Sequence, residues 1–286
     1  MAVAVASEKP IVARKPSFPF TEVPRHWLGG TALASHLANG LNLLFPLGER
    51  FFVRSVRKHM DVVKADPALE ARVRGFIAQE VRHGMEHERF FEIMEAQGLE
   101  IRKFLAWYEH AAFDVLVDVG TRLHPDLDLA VTVALEHFTA MFAERALEKD
   151  VLSQIAHPVM RDLLLWHACE EIEHKSVAFD VLARVNPSYP LRMGGLAMAT
   201  FGLVFFWMAG AGALLRQEEG LSVRGLLREL VATRERNALM NGELARSFKD
   251  YLRRDFHPSQ HPNEPLAEAW LRENGARLGL ANTQAA

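Results

Sequence analysis

The segment Trp166-His167-Ala168-Cys169-Glu170-Glu171-Ile172-Glu173-His174 decides how the chain is interpreted, because it sets ionisable side chains within an otherwise apolar stretch. Within it, Glu171 follows His167 by four residues and precedes His174 by three. An α-helix turns by about 100° per residue, so these spacings bring all three side chains to one face. The segment therefore predicts a helical stripe of metal-binding groups, in which His167 and Glu171 are also the candidate catalytic residues.

The chain contains a second Glu-x-x-His pair, Glu80 with His83, and each pair follows an isolated glutamate in an apolar setting. Glu49 precedes Glu80 by 31 residues, and Glu136 precedes Glu171 by 35. One glutamate and one Glu-x-x-His pair from each half of a helical bundle is the ligand arrangement of two-metal carboxylate proteins. The predicted metal ligands are Glu49, Glu80, His83, Glu136, His167, Glu171 and His174. His87, one turn beyond His83, is expected to support a ligand from behind.

The charge of the predicted site favours two metal ions over the main alternative. Four carboxylates would offset two divalent ions, whereas buried carboxylates without partners are costly. The third histidine makes one metal position richer in nitrogen and favours iron, with manganese as the alternative. In the other interpretation, Glu49 and Glu136 are surface or salt-bridged residues. Their partners would then be Arg50, Arg54 and Arg145.

Glycine and proline divide the chain into helical lengths, and the sequence predicts an all-α protein. Asp66-Pro67 is a strong helix start, and Gly98 is a natural stop. The predicted helices cover residues 27–44, 46–64, 66–98, 100–123, 126–155 and 158–185. Residues 24–190 are expected to form a four-helix bundle, with 100–123 as its crossover helix. Residues 1–23 lack the pattern of a signal peptide and are expected to be a flexible arm.

The C-terminal part of the chain looks different. No charged residue occurs from Met193 to Leu215, so residues 191–216 predict a hydrophobic helix, long enough to cross a bilayer or to lie in a core. Residues 217–260 predict an amphipathic region rich in arginine, which suits an anionic membrane surface. Residues 261–286 are expected to be a polar tail. We expect the protein on the cytoplasmic side of the inner membrane, with a soluble cytoplasmic protein as the alternative.

Composition excludes several classes of protein. The 33 basic and 36 acidic residues give a net charge of -3 and form no blocks, so no nucleic-acid partner is expected. The single cysteine, Cys169, excludes an internal disulfide framework. A homodimer is left open.

Several motifs resemble a bacterial family of predicted metal-dependent hydrolases in the ferritin-like group. They are Phe45-Pro46-Leu47-Gly48-Glu49-Arg50-Phe51-Phe52, Gln79-Glu80-Val81-Arg82-His83 with Glu86-His87, Glu136-His137-Phe138, Trp166 to Lys175, Ala178-Phe179-Asp180-Val181 and Tyr251 to Pro258. The resemblance covers about residues 25 to 260 and implies a ferritin-like bundle. The ligand stripe is also similar to that of di-iron arylamine N-oxygenases, whose extra histidine corresponds to His167.

These observations lead to three functional hypotheses. The first is a di-iron enzyme that uses O2 and an electron donor to oxidise a lipophilic or aromatic small molecule. The second is a hydrolase that uses a metal-activated water. The third is a non-catalytic, ferritin-like iron-handling protein. The ligand set alone separates them poorly, because one scaffold serves several chemistries.

Overall fold

The computed structural model of the chain describes residues 10–149, 152, 156–236 and 242–280, which contain helices and no strand. The all-α prediction is confirmed. The α-helices are α1 Ala32–Asn42, α2 Phe45–Arg57, α3 Met60–Val63, α4 Pro67–Ala96, α5 Arg102–Glu109, α6 Val117–Leu123, α7 Leu127–Lys149, α8 Pro158–His174, α9 Val177–Val185, α10 Tyr189–Leu215, α11 Val223–Arg236, α12 Gly242–Tyr251 and α13 Glu264–Asn274. A π-helical stretch, His110–Leu116, joins α5 to α6, and short 3₁₀ turns lie at Phe20–Glu22 and Pro258–Gln260.

Helices α2, α4, α7 and α8 carry the predicted ligands and contact one another in a closed ring. Helix α2 packs on α4 and α7, and α8 packs on the same two helices. Local signals set their limits: the Asp66 carboxylate accepts hydrogen bonds from the amides of Ala68 and Leu69, and Pro67 opens α4. Gly98 follows α4 with a positive φ of 81°. The ring therefore holds the candidate ligands at fixed positions along four helices.

Some helix boundaries differ from the sequence prediction for reasons of tertiary structure. The helix predicted over 158–185 breaks after His174, where Lys175 turns inward and donates to the His261 carbonyl at 2.6 Å. The helix predicted over 46–64 is divided into α2 and α3. The first helix starts at Ala32 instead of residue 27, after Gly29 and Gly30, both with positive φ. Residues 150–151, 153–155 and 237–241 of the predicted helices lie outside the described residues.

The two predicted terminal segments are folded where the structure describes them. The flexible-arm prediction is wrong for residues 10–23, because Phe18 and Phe20 are buried and Arg14 reaches carboxylates of α8. Residues 1–9 lie outside the described part. The expected polar tail contains α13, which packs on α8, and the buried Leu278 and Leu280. Both segments therefore cover the ring and shield it from water.

Helix α10 packs mainly on α7 and α1 and also contacts α5. A Cβ at Gly195 would lie 2.5 Å from the carbonyl carbon and oxygen of Ala130, so glycine is required for this approach. Within the described residues, α10 is the one helix long and apolar enough to cross a membrane. Of its most apolar stretch of 18 residues, 28% is buried. Its outer side exposes Phe201, Val204, Phe205 and Met208.

Candidate metal centre

All seven predicted ligands lie inside the ring, and none is more than 4% exposed. Six of them form two groups. The first contains Glu49 of α2, His83 of α4 and His167 of α8, and the second contains Glu80 of α4 with Glu171 and His174 of α8. Within each group, one donor atom of every residue lies within 4.8 Å of the others. Such distances fit donors that surround a common ion.

Glu171 links the two groups, and Glu136 of α7 completes the second. The Glu171 Oε1 atom lies 2.8 Å from His167 Nε2 and 3.6 Å from His83 Nδ1 in the first group. The same atom lies 3.5 Å from His174 Nε2 in the second group. His174 Nε2 also lies 3.1 Å from Glu80 Oε1 and 3.4 Å from Glu136 Oε2. The structure thus brings all seven residues together, and Glu171 is in contact with both groups.

Hydrogen bonds fix two of the histidine rings so that one nitrogen of each faces the centre. His174 Nδ1 donates to Gln79 Oε1 at 2.9 Å, which leaves Nε2 facing the carboxylates. His83 Nε2 donates to Glu170 Oε2 at 3.0 Å and leaves Nδ1 free. A partner that holds the far nitrogen is typical of metal-binding histidines. The two rings would therefore coordinate through different nitrogen atoms.

His167 is fixed by a longer relay that includes His87. His87 Nδ1 donates to Asn42 Oδ1, so His87 Nε2 must accept. It accepts from His167 Nδ1 at 2.8 Å, so His167 Nε2 is the nitrogen that faces the centre, 2.8 Å from Glu171 Oε1. The structure therefore puts His87 behind His167, away from the donor groups, as the sequence analysis expected. Its role stays a prediction.

Buried polar residues behind the candidate ligands form a hydrogen-bond network that was not predicted from the sequence. Glu170 Oε1 accepts from Trp166 Nε1 at 3.1 Å and from Arg14 Nη1 at 3.0 Å. Arg14 also pairs with Glu173, which accepts from Gln79 Nε2 at 2.8 Å. Burial raises the pKa of Glu170 to about 7, although Arg14 opposes this. The available signal was the run of three glutamates at 170, 171 and 173, which is unusual for a buried helix.

The donor set fits divalent metal ions because most of its inward-facing atoms have no hydrogen-bond partner among the described residues. Both carboxylate oxygens of Glu49, Glu80 and Glu136 lack hydrogen bonds, as do His83 Nδ1 and His174 Nε2. Burial, reinforced by repulsion from Glu171, raises the pKa of Glu49, Glu80 and Glu136 well above the usual value. Burial would also raise the pKa of Glu171, but His174 and His167 hold it well below its usual value. Cations would remove this cost.

The alternative in which Glu49 pairs with an arginine is wrong, because both of its oxygens are buried and lack hydrogen bonds, and Arg50 pairs with Glu88 at 3.2 Å. Cys169 is buried on α8 and belongs to neither donor group. Burial raises the pKa of its thiol well above the usual value, so it stays protonated and packs as a small apolar residue.

An apolar cavity of about 100 Å³ reaches the centre at Glu49. Its walls come from α1, α2, the π-helical stretch, α7 and α10, and they include Phe52, Phe113 and Phe206. The polar side chains on its wall are Glu49, Tyr108 and Thr139. Half-buried residues of the π-helical stretch and α10, Leu116 and Gly202, line the cavity next to the exposed Val115 and Phe201. The cavity therefore extends from Glu49 toward the apolar outer side of α10.

The fold and the donor set define a helical protein with a candidate centre for two metal ions. The chain matches the model of the family described as "predicted metal-dependent hydrolase" over residues 12–262, and it belongs to that family. The resemblance to predicted metal-dependent hydrolases is thereby confirmed, whereas the ferritin-like grouping and the similarity to arylamine N-oxygenases stay expectations. No curated protein and no solved structure matches the chain.

Proposed function

We propose that the protein is a metal-dependent hydrolase with a two-metal centre that cleaves an ester or amide of a lipophilic acid. The observation that carries the proposal is the meeting of the seven-residue donor set with an apolar cavity at Glu49. Bound divalent ions would supply Lewis acidity and an activated water at neutral pH. The family assignment supports hydrolysis.

The residues of the chain have separable tasks in this proposal. The ions would be held by Glu49, Glu80, Glu136, Glu171, His83, His167 and His174. Glu171 contacts both groups of donors and would serve both. Tyr108 is buried beside Glu49 in the cavity wall, and burial raises its pKa above the usual value, so it keeps its proton. Its hydroxyl is available to donate a hydrogen bond to a substrate carbonyl. The aromatic wall binds the apolar chain and excludes bulk water.

A membrane surface is the proposed source of the lipophilic substrate. The exposed apolar side of α10, with Trp107, Val115 and Val119 of the neighbouring helices, forms a patch that we call the α10 patch. Trp107 and Phe205 join its two parts, with ring centroids 6.1 Å apart. We propose that the α10 patch lies in the membrane interface. Because α10 packs on α7 and α1, we do not expect it to leave them and span the bilayer as a separate helix.

Oxygen chemistry at a di-iron centre is the second candidate function. It is favoured by the grouping of two histidines, His83 and His167, around Glu49, since nitrogen-rich positions suit iron. The comparisons with known proteins do not support this hypothesis, and the hydrolase hypothesis fits them better.

The deciding experiment compares ester cleavage and oxygen consumption in one preparation. Metal-free protein is loaded anaerobically with zinc, manganese or ferrous iron and given p-nitrophenyl esters of short and long acyl chains. We expect metal-dependent cleavage that favours long chains, and a loss of about 100-fold in His167→Ala. The exposed His110 is the matched control position, and His110→Ala should match the wild type. If the iron-loaded protein consumed oxygen and no metal supported ester cleavage, the hydrolase proposal would be rejected in favour of oxygen chemistry.

A further inference from the structure

A second cavity reaches the centre from the other flank of α2. It has a volume of about 480 Å³ and lies between α2 and α4, with Glu49 and Glu80 in its wall. On α2, the apolar cavity uses Phe45, Gly48 and Phe52, whereas this one uses Arg50, Val53 and Arg57. At about 100° per residue, these two sets lie on opposite sides of Glu49. The centre is therefore open to two different environments.

Three arginines of α2 line the second cavity, which we call the arginine cleft. Arg50, Arg54 and Arg57 are spaced by four and three residues and share one helical stripe. Arg50 is paired with Glu88 across the cleft at 3.2 Å. Among the described residues, no carboxylate lies within 4.0 Å of Arg54 or Arg57. Two guanidinium groups are thus left to bind an anion.

These two charges are not needed to balance the glutamates of the centre. The four ligand carboxylates match the charge of two divalent ions, so the loaded centre is neutral. An arginine presents paired N–H groups that bind both oxygens of a carboxylate. The positive charge of the arginine cleft therefore remains available to a ligand that leaves or enters the centre.

The wall on α4 shows how such a ligand reaches Glu49. A Cβ at Gly84 would lie 3.0 Å from Glu49 Oε2, so glycine keeps this carboxylate close to the cleft floor. Val81 and Met85, on either side, are 51% and 47% exposed, although both are apolar. An apolar wall opposite two guanidinium groups suits a ligand with an acidic head and a carbon chain.

We propose that the arginine cleft binds the carboxylate product of hydrolysis, so that substrates enter through the apolar cavity and acids leave past Arg54 and Arg57. The inference rests on the proposed function. Hydrolysis adds water across the ester or amide bond, gives the acyl carbon a hydroxyl and the leaving group a hydrogen, and the acid then loses its proton to solvent. Only this product carries the new negative charge.

Calorimetric binding of octanoate and of 1-octanol to the metal-loaded protein tests the inference without catalysis. The double variant Arg54→Gln/Arg57→Gln should bind octanoate at least about tenfold more weakly and bind 1-octanol unchanged. Arg74→Gln is the control, since Arg74 lies on α4 and pairs with Glu70 outside the cleft. Added salt should weaken octanoate binding to the wild type far more than to the double variant.

The outcomes separate this inference from the proposed function. Equal loss in Arg74→Gln, or unchanged octanoate affinity in the double variant with its metal retained, would overturn the arginine cleft as an acid site. A selective loss of octanoate binding supports the cleft even in a protein that cleaves no ester. In that case, the failure belongs to the proposed function alone.

Discussion

Helices α4 and α10 are of similar length, with 30 and 27 residues, yet they depart from the usual distribution of side chains in opposite ways. Helix α4 buries Glu80, His83, Glu86 and His87, whereas α10 exposes Phe201 and other large apolar side chains. Ordinary proteins bury apolar groups and leave charges in water. Buried carboxylates without partners call for cations, and a contiguous exposed apolar patch calls for an apolar neighbour. Each helix therefore indicates what must come from outside the chain.

Removing one buried charge of α4 gives the largest expected effect. Glu80→Gln replaces a carboxylate whose oxygens lack hydrogen bonds, so metal-free protein should melt at the same or a higher temperature. Metal content should fall from about two ions per chain to one or none, and the stabilisation by metal should fall with it. Elemental analysis and thermal melting with and without metal measure both.

Glu92→Gln, on the exposed side of the same helix, is the matched control and should keep its full metal content. A Glu80→Gln variant that still binds two ions would show that Glu80 is not needed as a metal ligand.

The exposed side of α10 is tested by the double variant Phe201→Ser/Phe205→Ser. Each phenylalanine contributes about 1.5–3 kcal/mol when its side chain leaves water, so binding to lipid vesicles should weaken by at least about tenfold. Co-sedimentation with vesicles containing anionic lipid provides the measurement. Val62→Ser, an exposed apolar position on α3, serves as the control. If the wild-type protein stayed monodisperse and did not sediment with vesicles, the proposal that α10 binds membranes would be wrong.

The packed side of α10 predicts a smaller effect on stability. Gly195→Ala would force a Cβ against the Ala130 backbone and should lower the free energy of unfolding by about 1–3 kcal/mol. Gly212→Ala is in the same helix and meets nothing within 4 Å, so it should be neutral or stabilising. Urea unfolding compares the two. Equal free energies of unfolding for the two variants would mean that α10 does not pack closely on α7 at Gly195.

The smallest effect is expected just beyond α10, at Glu218. Burial opposes its ionisation, but hydrogen bonds from His36 and Arg25 lower its pKa to about 2. The stabilisation by ionised Glu218 is therefore complete above about pH 4.5 and is lost as the pH falls toward 2. Glu218→Gln should cost about 1 kcal/mol at neutral pH and progressively less in acid. The exposed Glu219→Gln should show no such trend in urea unfolding.

Local spacing predicted much of this molecule, and contacts between distant residues explain what it missed. The Glu-x-x-His pairs identify candidate ligands because their three-residue step is a property of one helix. Asn42, His87 and His167 come from three helices, and no periodicity connects Asn42 to a ring 45 residues later. The same holds for Arg14. From the sequence, Arg14 looked like a solvated residue of a flexible arm, because the carboxylates that pair with it lie far along the chain on α8.

The contact between Arg14 and Glu170 also sets an order of assembly. These residues are 156 positions apart, so Arg14 leaves the ribosome long before α8 exists. The segment around Arg14 can form this contact only after the helices of the ring have been synthesised. Docking then closes the network behind His83. A bulky tag fused near this segment would therefore interfere with maturation of the centre even though it touches no ligand.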